Sequence, residues 1–141
     1  MKLELEVNGQ TIHALSAEHL KSIEDKAYPQ VIDLRRNHEL DSKLAERLRE
    51  EGVHYTHIPV SPETLSEQDV DHVRWEFARR KGPYAVLSSK GVQAAAVVLM
   101  HAARVEEWGL DETLKKCPEL KKEKLLKAFL AGYLERHRAK A

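Results

Sequence analysis

An α/β fold, with a central, mainly parallel sheet and helices on both faces, is predicted by three features of the sequence. Short apolar runs at 30–34, 53–60 and 84–87 are each followed by a stretch with apolar residues at helical spacing, the alternation that builds parallel sheets through right-handed crossovers. Residues 92–105 are apolar nearly all round, which predicts a covered, central helix. Leu3, Leu5 and Val7 alternate with Lys2, Glu4 and Glu6 before Asn8-Gly9, which predicts an N-terminal β-hairpin closing on 11–15.

The elements follow in order. Ser16 is placed to cap a short helix carrying Leu20 and Ile23, ended by Tyr28-Pro29. Asp41 or Ser42 caps a second helix with Leu44 and Leu48 on one face, and Gly52 ends it. Thr64-Leu65-Ser66-Glu67 reads as a capping box opening a third helix, with Val70, Val73 and Phe77 on its apolar face, closing near Lys81-Gly82-Pro83. After the central helix, 111–116 is a short helix and 119–137 a longer one with Leu126, Phe129, Leu130 and Tyr133 as its stripe.

At 141 residues one domain, 1–141, is expected, without internal repeats. The 23 basic residues balance 23 acidic ones, so no global field recruits nucleic acid or an anionic membrane, and any anion site must be local. No run approaches the roughly twenty apolar residues of a bilayer span, and the N-terminus alternates charge unlike a signal peptide, so a cytoplasmic location is expected. The single cysteine, Cys117, has no partner for an internal disulfide and reads as a structural or surface thiol.

A parallel sheet presents its ligands at the carboxyl ends of its strands. Three loops are expected there: Arg35-Arg36-Asn37-His38, Ser61-Pro62-Glu63, and Ser88 to Gln93. The last is a glycine-containing loop entering a helix, where backbone N–H groups lack intrahelical partners and favour an anion. Lys90 adds charge and Gly91 allows the turn.

The segments Val31-Ile32-Asp33-Leu34-Arg35, Tyr55-Thr56-His57-Ile58-Pro59-Val60, and Gly82-Pro83 through Ala94-Ala95 resemble the protein-tyrosine/dual-specificity phosphatases, in particular a small bacterial branch also found fused to β-lactamase-like hydrolases. The likeness spans about residues 9–115, with the hairpin and a helical extension of about 116–141 as additions. It implies a tyrosine-phosphatase-like fold whose last strand ends in a histidine and a nucleophilic cysteine, followed by a phosphate-gripping arginine. Aligned through Gly82-Pro83, those positions hold Leu87, Ser88 and Gln93, while Gly91 is kept. A serine hydroxyl stays protonated without a positioned base, whereas a thiolate forms near neutral pH in such sites. Replacing the arginine removes its bidentate grip on the phosphoryl oxygens. Three coincident replacements point to natural loss rather than a single substrate-trapping substitution.

The leading expectation is therefore a catalytically inactive domain with a binding or regulatory role. Its loop of Ser88, Ser89, Lys90, Gly91, Val92 and Gln93, with Arg35, would hold a phosphate-like anion or phosphorylated ligand. No catalytic residue, metal or cofactor is expected. A second reading is a hydrolase with serine- or water-based chemistry, using Ser88 with Glu63, His38 and Arg35, and it requires a deep polar pocket. A third is a protein-interaction module with a vestigial site, pairing with a partner or a second copy through the Leu3-Leu5-Val7 edge.

Other candidates carry less. Glu63 and Asp69 occupy the region of the family's general acids, but capping and solvation of the third helix explain them. His54 and His57, three apart on a strand, point to opposite faces and do not pair as metal ligands. His101 reads as a hydrogen-bonded core histidine. A triad of Ser88, a histidine and Asp33 lacks the Gly-x-Ser-x-Gly elbow. Lysines 115, 116, 121, 122, 124 and 127 are interleaved with glutamates and read as a solvated face.

Overall fold

The computed structural model describes residues 2–25, 28–36 and 42–138. The hairpin forms as expected from β1 (Lys2–Val7) and β2 (Gln10–Leu15), which pair antiparallel with Val7 opposite Gln10. Asn8 and Gly9 both take positive φ, 53° and 81°, the conformation a two-residue turn of this hand demands. Next to β2 lie β5 (Tyr84–Leu87), β3 (Gln30–Asp33) and β4 (His54–His57), all parallel, giving the order β1-β2-β5-β3-β4. The result is a five-stranded, mainly parallel sheet with the hairpin's β1 at one edge.

Strand alternation divides the core into two layers. On one face Leu15, Val31, Tyr55, Ala85 and Leu87 pack with residues of α1 (Leu20–Asp25) and α2 (Ser42–Glu50), including Ile23, Leu44 and Leu48. On the other, Ile12, Ala14, Ile32, Tyr84 and Val86 meet α3 (Glu67–Arg79) and α4 (Val92–Glu106). Ten residues of α4 are buried, so its all-round apolarity reflects cover by the sheet beneath and helices around it. Among those helices are α5 (Leu110–Lys116) and α6 (Lys124–Arg136), whose Leu126, Leu130 and Tyr133 join the same core.

Several boundaries differ from the sequence reading. The third helix begins at Glu67, and its capping box is Ser66 with Asp69, each side chain bonding the other's backbone N–H. Thr64 does not open it, because its hydroxyl accepts the Ser61 N–H in a preceding turn. Ser16 stands at the start of a 3-10 turn, Ala17–His19, but its hydroxyl donates to Glu18 instead of capping. The helix expected over 119–137 is two pieces, a 3-10 segment Pro118–Lys122 and α6, because Glu123 is extended between them. The strand expected over 53–60 is regular only at His54–His57. Asp41 lies outside the described residues, and α2 starts at Ser42.

His101 on α4 sits against the Phe77 ring, with centroids 4.7 Å apart, and its Nδ1 accepts from Arg74 Nε at 3.2 Å. Burial, reinforced by the Arg74 and Arg104 charges, lowers its pKa to about 4. An unfolded chain protonates this histidine near 6.5, so between these values the unfolded state binds more protons. Its contribution to stability is therefore full above about pH 6.5 and is lost as pH falls towards 4. Urea midpoints should drop from pH 7.5 to pH 4.5, and a His101→Gln variant should show a shallower drop. Cys117 is buried and its Sγ meets Glu119; burial raises the thiol to about 11, in keeping with a structural thiol.

Candidate functional site

The carboxyl ends of β3, β4 and β5 are tied together past the regular strands. Leu34 N–H donates to Leu87 O, Ile58 N–H to Asp33 O, and Val60 N–H to Leu34 O, at 2.8, 2.9 and 3.1 Å. Ser88 N–H donates to Leu15 O and Ala17 N–H to Ser89 O, both at 3.1 Å, which anchors the loop after β5 to the end of β2. These bonds fix where the three loops leave the sheet. Between them lies a cleft of about 210 Å³ lined by Arg35, Arg36, Ser61, Pro62, Glu63 and residues Ser88, Ser89, Lys90, Val92 and Gln93. The described parts of all three expected loops thus meet in one place; Asn37 and His38 lie outside the described residues.

Ser88 directly follows β5, with only 4% of its surface exposed. Its hydroxyl accepts the N–H of Ala94 at 3.0 Å, in the first turn of α4. Gly91, at φ 85°, makes the left-handed turn into that helix, a conformation that excludes most side chains. The first turn of α4 holds no acidic residue, so the positive end of its dipole faces the cleft uncompensated by its own helix. Gln93 lines the cleft from the same turn, and its Nε2 is buried without a hydrogen-bond partner among the described residues. Leu87, immediately before Ser88, is fully buried on the opposite face among Leu15, Val31 and Leu44.

Arg35 is occupied differently from the sequence expectation of an anion ligand. Its Nε and Nη2 each donate to Asp33 at 3.0 Å, its backbone N–H bonds the same carboxylate, and the pair is almost wholly buried. Tyr55, from β4, completes the group by donating its hydroxyl to Asp33 at 2.6 Å. Burial and that bond raise the Tyr55 pKa well above the usual phenol range, which keeps the phenol a donor. Asp33 is thus engaged by Arg35 and Tyr55 and does not orient a histidine for Ser88. His57 Nε2 meets the Arg35 carbonyl at 2.6 Å on this side, while His54 faces Glu76 of α3 at 3.3 Å on the other. Asp69 serves the α3 cap, and Glu63 is exposed at the cleft.

Glu123 and Leu126, from the C-terminal helical region, also line the cleft. Nothing in the sequence marked either as a cleft residue, because they arrive by packing of α6 on α4 rather than from a strand end. The lining carries Arg35, Arg36 and Lys90 against Glu63 and Glu123, and the buried Asp33 offsets Arg35. Among the described residues no group of three metal-ligating side chains gathers, and no helix is long and apolar enough to cross a membrane.

Neither a family model nor a curated protein matches the chain. Solved structures do. A candidate phosphatase of Shewanella putrefaciens is 15% identical with a TM-score of 0.71, over 95% of this chain and 89% of that one. A candidate phosphatase of Neisseria meningitidis is 19% identical with a TM-score of 0.61, over 82% and 90%. TpbA of P. aeruginosa is 14% identical with a TM-score of 0.65, over 86% and 79%, and has also been solved in complex with phosphotyrosine. The chain therefore has the protein-tyrosine-phosphatase-like fold. At these identities the likeness is one of fold, and fold alone does not fix activity.

Proposed function

We propose that this domain is a non-catalytic, phosphatase-like binding domain, in which the loop after β5 accepts an anion without turning it over. The observation that carries this reading is the state of Ser88, which lies where the family resemblance expects the nucleophile. Its hydroxyl is buried and engaged by the Ala94 N–H, as a cap for α4, and no histidine lines the cleft among the described residues. Without a base, a hydroxyl is a poor nucleophile at neutral pH. Leu87 and Gln93, at the expected histidine and arginine positions, supply neither a proton acceptor nor a guanidinium. The anion-accepting features persist: the loop, the Gly91 turn, the α4 dipole, and Lys90 and Arg36 beside the cleft.

A hydrolase with altered chemistry is favoured by one observation, the presence of a cleft lined by both Glu63 and Ser88. Steady-state assays with p-nitrophenyl phosphate separate the two. The binding reading expects no turnover above buffer, and no difference between the wild type and Ser88→Ala. Hydrolysis that disappears in Ser88→Ala would establish the hydrolase instead.

A further inference from the structure

We infer that the cleft prefers a singly charged oxyanion, such as a phosphodiester, phosphonate monoester or sulfonate, over a dianion such as a phosphate monoester. The inference rests on the anion-binding reading above and names its ligand class. Arg35 brings no net charge, because its guanidinium is held two-pronged by the buried Asp33 carboxylate. Of the other charged lining residues among those described, Arg36 and Lys90 are equalled in number by Glu63 and Glu123. A neutral carboxamide, Gln93, stands in the first turn of α4, with an Nε2 donor that lacks a partner among the described residues.

What remains to hold an anion is a set of dipoles: the helix start, equivalent to roughly half a charge, and the loop amides. Such donors complement about one negative charge. A second charge would enter a cleft partly walled by Leu34, Val60, Val92 and Leu126, facing two carboxylates and, among the described residues, no cation in excess. Apolar walls lower the local dielectric and make that mismatch more costly than in open water. Glu123 matters more than Glu63, because it is half-buried while Glu63 is exposed and better screened.

The test uses the full chain at pH 8, with amide NMR shifts of residues 88–93 followed during titration with two probes. Phenyl phosphate is a dianion there, since its second pKa is about 6, and phenyl methylphosphonate is a monoanion of similar shape. The expected result is binding of phenyl methylphosphonate at least tenfold tighter, with Glu123→Gln narrowing the gap by improving the dianion. A smaller preference, or tighter binding of phenyl phosphate, overturns the charge inference and leaves the anion site standing. Absence of saturable loop shifts with either probe overturns both.

Discussion

Asp33→Ala should destabilise the protein by about 3–5 kcal/mol, the cost of leaving a buried charge without its partner. Arg35 has 4% of its side chain exposed, and its guanidinium reaches Asp33 through two side-chain bonds at 3.0 Å. Removal of the carboxylate also strips the Tyr55 hydroxyl of its acceptor. Since domains of this size are stable by only about 5–15 kcal/mol, the loss should be visible as a large fall in the urea midpoint. The discriminating companion is the double variant Asp33→Leu with Arg35→Met. Replacing both members of a buried pair by apolar groups is often near neutral, so it should unfold closer to the wild type than Asp33→Ala does. A double variant as unstable as the single one would mean that the pair does more than neutralise itself.

Leu130→Ala should cost about 2–5 kcal/mol, as truncation of a fully buried leucine leaves both lost transfer energy and a cavity. Leu130 is 0% exposed in α6 and belongs to the same core as Val98 and Ala102 of α4. The sequence resemblance treats this helix as an addition to the phosphatase-like part, and an accessory helix would tolerate the change. Because Glu123 and Leu126 of the same region line the cleft, loosening α6 should also broaden amide signals of the Ser88 loop. A variant within about 0.5 kcal/mol of wild type, the usual range of surface changes, would show α6 to be dispensable.

What the sequence revealed followed from local chemistry. Asn8-Gly9 can close only a tight hairpin between alternating strands, and the apolar runs at 84–87 and 94–100 can only be interior, so the sheet, its central helix and the convergence of the three loops were readable. The error at the third helix arose because the same polar-x-x-acidic spacing occurs twice, at Thr64 to Glu67 and at Ser66 to Asp69. Only the Ser61 turn, which occupies the Thr64 hydroxyl, decides between them. Asp33 entered the sequence reading only as a member of an unsupported triad. That its partners are Arg35 and, across the sheet, Tyr55 depends on strand register, which no local pattern encodes. Glu123 reaches the cleft through helix packing alone.

On the proposed function, the loop after β5 holds an anion although Ser88 caps a helix and does not attack. Titration of the ¹⁵N-labelled protein with inorganic phosphate and with phenyl methylphosphonate, while following the amides of residues 88–93, tests it most directly. Saturable shifts confined to that loop are expected, with the phosphonate ester intact at the end of the titration. Amides that stay fixed, or an ester that is cleaved, would contradict it.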